Sequence, residues 1–158
     1  LLIDRQDFVS KTGFPASAEN GEVFLYCGFS DLEIDGRGFD GALIGCKFEN
    51  IDWYWGLFNE VLISKTKFVG CKFRGTSFVG CRFLDCEFAG CEFAADNVGG
   101  FCKFKDCVLV ECKFRDARPR RLNRTNYHSL WARVYTDVPR LNALVWQNSL
   151  TDTELDIV

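Results

Sequence analysis

Methionine is missing from these 158 residues, and histidine occurs once, at His128. The absent Met predicts a start that was processed or lost. A lone His cannot build a His-based metal site. It also leaves a Cys–His nucleophile pair dependent on an exposed, activated thiol. No apolar run approaches the ~18 residues of a membrane-spanning helix. Leu1-Leu2-Ile3 meets Asp4 and Arg5 at once, so the chain lacks a signal-peptide core. Charge of one sign is lacking too. Lys and Arg number 19 against 22 Asp and Glu, a net of -3, which excludes a strongly basic nucleic-acid binder. There is no Gly-rich phosphate loop. A composition 47% hydrophobic and 26% charged excludes global disorder and suits one folded domain.

Phenylalanine, at 16, and cysteine, at nine, are what the chain has in excess. Nine thiols cannot all pair within one chain. Their spacing explains them better. From residue 66 the sequence reads TKFVG CKFRG TSFVG CRFLD CEFAG CEFAA, a period of five. Phe68, Phe73, Phe78, Phe83, Phe88 and Phe93 centre the units, and a small residue, Thr or Cys, stands two before each. Backwards the centres are Ile63, Phe58, Trp53, Phe48 and Leu43, then, one residue short, Phe39, Ile34 and Phe29. Forwards the register reads Val98 as a centre, with one residue inserted around Gly99-Gly100-Phe101. It continues at Phe104, Leu109 and Phe114. All nine cysteines fall two before a centre.

This pattern resembles the pentapeptide-repeat family over about 90 residues, with units of the Cys-x-Phe type, and repeats of this regularity leave few alternatives. The resemblance implies an all-β solenoid: a right-handed quadrilateral β-helix, one unit per side and about twenty residues per coil. Strand alternation then points each centre, and the small residue two before it, inward. Phe48, Phe68, Phe73, Phe78, Phe83, Phe88 and Phe93 are the expected core centres. Gly, Asp or Asn two after a centre suits a corner of unusual φ. The cysteines become reduced core packers, because parallel side chains in a ladder do not easily reach the torsion of a disulfide. Reduced thiols point to the cytoplasm.

The domain expectation is an N-terminal cap over residues 1–26, the β-helix over 27–116, and a C-terminal helical cap or dimerization segment over 117–158. Phe8, Phe14 and Phe24 offer apolar cover at the first end. In the last segment, 126–135 reads as a short helix and Pro139 opens a second. Trp131, Leu141, Val145 and Trp146 are the dimerization candidates. Arg118 to Arg124 form a basic linker.

The register also assigns outer faces. Face one takes Phe29, Phe48, Phe68, Phe88 and Leu109, with a strip of Val69, Ala89, Val108 and Val110 outside. Face two takes Ile34, Trp53, Phe73, Phe93 and Phe114. Face four takes Leu43, Ile63, Phe83 and Phe104, and shows Ile44, Leu62 and Leu84. On face two, Tyr54 and Trp55 project near Lys72 and Arg74, and these four are the candidate protein-binding residues, since Trp, Tyr and Arg dominate binding hot spots. No catalytic, cofactor or metal site is expected.

The resulting expectation is a non-enzymatic bacterial scaffold that binds a protein partner through its outer faces. The resemblance adds neutralisers and components of toxin systems, and leaves homodimerization open. The lack of a long apolar run predicts no membrane association, and the mild charge balance disfavours direct nucleic-acid binding. The alternative is a DNA mimic that binds and protects or inhibits DNA gyrase or topoisomerase IV, as quinolone-resistance members do. Interleaved charges and the lack of clear large loops argue against that alternative.

Overall fold

The computed structural model describes residues 1–100 and 102–116. Within them the chain winds about five coils of a four-sided parallel β-helix. Each side is a strand of three residues, outward–inward–outward. Face four stacks β1 (Leu2–Asp4), β3 (Val23–Leu25), β6 (Ala42–Ile44), β10 (Leu62–Ser64), β14 (Arg82–Leu84) and β18 (Val108–Val110). Face one stacks β2 (Asp7–Val9), β4 (Gly28–Ser30), β7 (Lys47–Glu49), β11 (Lys67–Val69), β15 (Glu87–Ala89) and β19 (Lys113–Arg115). Face two holds β5 (Glu33–Asp35), β8 (Asp52–Tyr54), β12 (Lys72–Arg74) and β16 (Glu92–Ala94). Face three holds β9 (Leu57–Asn59), β13 (Ser77–Val79) and β17 (Lys103–Lys105), with Phe39 bridged to Phe58 below them.

The period of five produces this shape because each unit spends three residues on a strand and two on a corner. The corner residue two after a centre takes a left-handed φ, at Gly70, Gly80 and Gly90 without strain but also at Trp55 (φ 53), Glu60 (φ 53) and Lys65 (φ 51). A side chain in that region costs about 1–2 kcal/mol. The corner is held because its N–H donates to the coil above: Asn50 to the Val69 carbonyl at 3.0 Å, Trp55 to Arg74 at 2.9 Å and Lys65 to Leu84 at 2.9 Å.

Inside, the seven expected centres Phe48, Phe68, Phe73, Phe78, Phe83, Phe88 and Phe93 are all fully buried. On face one, rings stack coil upon coil from Phe8 through Phe29, Phe48, Phe68 and Phe88 to Phe114, with centroids 4.4–4.9 Å apart. Neighbouring faces meet edge to face, as Phe68 and Phe73 do at 5.9 Å. Both geometries suit the aromatic quadrupole. All nine cysteines are free and buried. The thiols shown bonding donate toward backbone carbonyls, as Cys71 does toward Phe48 in the coil below (3.5 Å) and Val69 (3.7 Å). Thr66 reaches Leu43 and Ser64 in the same way. Where one of these thiols or Thr66 fills it, the small position is thus a hydrogen-bonding position as well as a packing one.

Two expectations need correction. Val98 is not a centre: it is 78% exposed, in a loop. Eleven positions separate Phe93 from Phe104 where a unit takes five, so six extra residues sit at the corner between faces two and three. Every later centre therefore moves by one face. Phe104 lies on face three, Leu109 on face four and Phe114 on face one. Lys113 and Arg115 leave face two with it. The supposed valine strip on face one dissolves, because Val108 and Val110 belong to face four.

The second correction concerns the first 26 residues. They contribute three strands of the solenoid itself, in register: Ile3 pairs with Phe24, and Phe8 with Phe29. Residues 10–22 form a second loop, between β2 and β3. From it Phe14 packs edge-on against Phe39 at 5.1 Å and Trp53 at 6.4 Å, closing the tube where faces two and three begin. Arg37 ties this loop down through its guanidinium over the Phe14 ring (5.1 Å) and its contact with Glu19 (3.6 Å). The expected helices at 126–135 and beyond Pro139, the Arg118–Arg124 linker and the candidates Trp131, Leu141, Val145 and Trp146 lie outside the described residues.

Candidate functional site

The face-two cluster begins with strand alternation. Tyr54 is the outward residue after the buried Trp53 centre, and Trp55 is the corner that follows. The left-handed corner turns the Trp55 indole back along the wall, where it stacks on Tyr54 with centroids 5.0 Å apart and planes 26° apart. Half of Trp55 (49%) stays exposed. One coil on, Arg74 lays its guanidinium 5.0 Å over the Tyr54 ring. The same guanidinium forks onto Asp52, with Nε and NH2 each 3.0 Å from a carboxylate oxygen. A bidentate pair of this kind is geometrically specific.

The inserted loop completes the cluster. Asp96 accepts the Trp55 indole N–H at 2.6 Å, and the Tyr54 hydroxyl donates to Asn97. Asp96 also organises its own loop by accepting the Val98 and Gly100 N–H groups at 2.8 Å each. The indole hydrogen bond, reinforced by these backbone donors, holds the Asp96 carboxyl below its ordinary value. Between loop and wall lies an open cleft of about 510 Å³ lined by Glu33, Ile34, Asp35, Asp52, Tyr54, Arg74 and Asn97.

Of the four residues singled out by sequence, Tyr54, Trp55 and Arg74 thus come together. Lys72 does not line the cleft. It stands in the neighbouring row, between Asp52 and Glu92 in the strand register. Asp96, Asn97, Glu33 and Asp35 were missed. The Asp-Asn followed by Gly99-Gly100 is the turn chemistry that marks a loop, and reading Val98 as a centre hid it.

The thiols give no comparable site. Burial pushes Cys46 up to about 11 and Cys102 up to about 12. Cys91 and Cys86 are raised because each donates a hydrogen bond to the stacked sulfur of Cys71 or Cys112, and burial adds to it. These four thiols, held protonated inside the tube, are poor nucleophiles and poor ligands. Among the described residues no three His, Cys, Asp or Glu side chains converge as metal ligands.

Coils of five-residue units around a phenylalanine core define the class: a pentapeptide-repeat β-helix. Residues 58–94 match the pentapeptide-repeat family model in eight copies. No curated protein matches the sequence. Among solved structures, the chain is similar to full-length QnrB1, a plasmid-mediated fluoroquinolone resistance protein, at 14% identity and a TM-score of 0.59. The match covers 74% of this chain and 60% of QnrB1. Two trypsin-treated variants of QnrB1 match at 14% and 15% identity, with TM-scores of 0.50 and 0.51 over 69% and 57% of their length. At such identity the likeness shows the fold. The chain spans about 60% of the length of full-length QnrB1.

Proposed function

We propose that the chain is a non-enzymatic scaffold that binds a protein partner through face two. The observation that carries this reading is the fixed cluster of Tyr54, Trp55 and Arg74 at the rim of an acidic cleft. Tyr, Trp and Arg are the side chains that contribute most at interfaces. Here their rotamers are already set by Asp52, Asp96 and Asn97, so docking loses little side-chain entropy. Glu33 and Asp35 on the far wall suit a basic side chain from the partner. The charge of the rod supports this. Residues 1–60 carry eleven acids against four bases, whereas 61–116 carry seven acids against nine bases. A basic surface is therefore steered to the first coils. Capture of partners from the native host with wild type and with Tyr54→Ala plus Trp55→Ala tests this. Identical capture by both excludes the cluster.

A second reading, a DNA mimic acting on gyrase or topoisomerase IV, draws support from three features. These are the likeness of fold to QnrB1, the acidic first half, and the two loops that the sequence did not reveal. Nine bases in the second half speak against a uniform phosphate-like surface. A supercoiling assay with and without quinolone separates the two readings. No effect at micromolar protein discards the mimic.

A further inference from the structure

We infer that Gly75 and Gly100 are positioning residues of the face-two cluster: between them they leave the seat in which the Asp96 carboxylate takes up the Trp55 indole, and a side chain at either position unseats it. Backbone conformation does not explain Gly75. Its φ of 60 is that of a left-handed corner, yet eleven corners among the described residues hold such a φ without glycine, Trp55 and Lys65 among them. Space explains it. A Cβ at 75 would stand 2.9 Å from Asp96 Oδ2, 2.9 Å from Trp55 Cδ1 and 3.0 Å from Asp96 Cβ. Non-bonded carbons sit best about 3.5–4.0 Å apart, so the Trp55 and Asp96 carbons are both too close to admit one. Gly100 closes on the same oxygen from the loop side, where a Cβ would stand 2.6 Å from Asp96 Oδ2. Gly100 lies outside the left-handed region, so space alone is at issue there.

That oxygen is the one that holds Trp55. The carboxylate divides its contacts: Oδ1 accepts the Val98 and Gly100 N–H groups at 2.8 Å each, and Oδ2 accepts the indole N–H at 2.6 Å. The indole is braced by its stack on Tyr54. The carboxylate is the flexible end, so a methyl group at 75 or 100 displaces it first. The same fit recurs at another corner. Tyr26, left-handed and exposed like Trp55, lies back onto Gly45, where a Cβ would meet its Cδ1 and Cε1 at 2.5 Å. Gly90 marks the contrast: its φ is 61, and nothing lies within 4 Å of its Cβ position.

For binding, here resting on the face-two reading, the seat sets what the cluster presents. The indole N–H is spent on Asp96 and the Tyr54 hydroxyl on Asn97. The pair therefore offers a partner carbon surface, which an apolar pocket covers without stranding a donor. Unseated, the indole N–H becomes an unpaired donor in such a pocket, and burying it is costly.

Proton–nitrogen NMR of the full chain tests the seat with no partner present. The Trp55 indole resonance is assigned by its loss in Trp55→Phe. In wild type its N–H should be protected from exchange with water relative to Asp96→Asn, and its shift should step in acid as Asp96 protonates. Gly75→Ala and Gly100→Ala should each speed exchange about tenfold or more, since a hydrogen bond to a charged group is lost, and should abolish the acid step. Gly90→Ala brings the same left-handed strain with no clash. It should lower the thermal melt as Gly75→Ala does and leave the indole unchanged. An indole that keeps its protection and its acid step in either seat variant overturns the inference, as does one perturbed equally by Gly90→Ala. If Gly75→Ala fails to fold, Gly100→Ala decides alone. Capture from the native host is the separate readout. Seat variants that lose the indole bond and still capture the wild-type partners uphold the seat and overturn the face-two reading.

Discussion

Truncating Phe88 and Phe114, singly and together, tests the register where sequence and structure part. In the structure Phe88 lies between Phe68 at 4.7 Å and Phe114 at 4.8 Å, with ring planes 7° and 4° apart. Phe88→Ala removes a fully buried ring, worth about 2–3 kcal/mol in transfer. It also removes two stacked contacts at ~0.5–1.5 kcal/mol each. The expected cost is about 3–5 kcal/mol, in line with other buried Phe truncations. Glu87, the outward neighbour, pairs with Arg115 at 3.2 Å on an exposed wall, and Glu87→Gln should cost under ~1 kcal/mol. Phe88→Leu keeps most of the volume and loses the stack, so it isolates the ring–ring part. A cycle of Phe88→Leu with Phe114→Leu, read by denaturant unfolding, should show coupling of about 0.5–1.5 kcal/mol. The same cycle with Leu109→Ala in place of Phe114→Leu tests the alternative, in which Leu109 follows Phe88. Stronger coupling to Leu109 than to Phe114 would refute the face assignment, and equal costs for Phe88→Ala and Glu87→Gln would refute the inward phase itself.

Three further outcomes follow from the same geometry. Acid should release the inserted loop. The Asp96 carboxyl sits below its ordinary value, so its docking is complete above the unfolded value of ~3.9 and is lost as pH falls through the lowered one. A change in Trp emission that begins below about pH 4 and vanishes in Asp96→Asn is expected; an identical titration in the variant refutes it. The nine thiols should label slowly in native protein at pH 8 and fully in denaturant. The stabilisation from keeping Cys46 and Cys102 protonated is whole below the ordinary thiol value and fades as pH climbs toward about 11 and about 12. Rapid native labelling of most thiols would contradict their burial. Lys65→Gly should raise stability by up to ~1 kcal/mol, because a left-handed corner at φ 51 suits Gly, and a lowered melting temperature would show that the Lys65 side chain matters more than its backbone.

The tube was legible because its signal is carried many times over. Each unit puts a large residue inward and a small one two before it, so one damaged unit does not hide the phase. The cysteines were the surest marker, and all nine are buried in that position. The ends and the loop were less legible, each for a physical reason. Residues 10–22 separate Phe8 from Phe24, so the first units looked like a cap although Ile3 and Phe8 stack in register. Val98 is apolar and sits five after Phe93, which satisfies the period by accident while its side chain faces water. The face-two cluster was half legible. Tyr54, Trp55 and Arg74 follow from alternation and coil length, whereas Asp96 and Asn97 reach them from 41 and 43 residues away in sequence, through a loop that obeys no period.

That loop separates architecture from recognition, and its removal should show it. Six residues are inserted, so deleting 96–101 and changing Ala95→Gly leaves Phe104 five after Phe93, with Cys102 still two before it. Every later strand keeps its face. Gly at 95 becomes the left-handed corner that Gly70, Gly80 and Gly90 already supply elsewhere. The trimmed protein should therefore keep its β-rich circular dichroism and melt cooperatively, within ~1–2 kcal/mol of wild type, since a shorter corner also lowers the entropy of closing the coil. What it loses is one wall of the cleft and both hydrogen-bond partners of Trp55 and Tyr54. Partner capture through face two should fall. If Val98 were a true centre, the same deletion would remove a whole unit and set Phe104 under the wrong neighbours, and the chain would unfold. A folded deletion variant that no longer recognises its face-two partner supports the structure; an unfolded one returns the argument to the unbroken repeat.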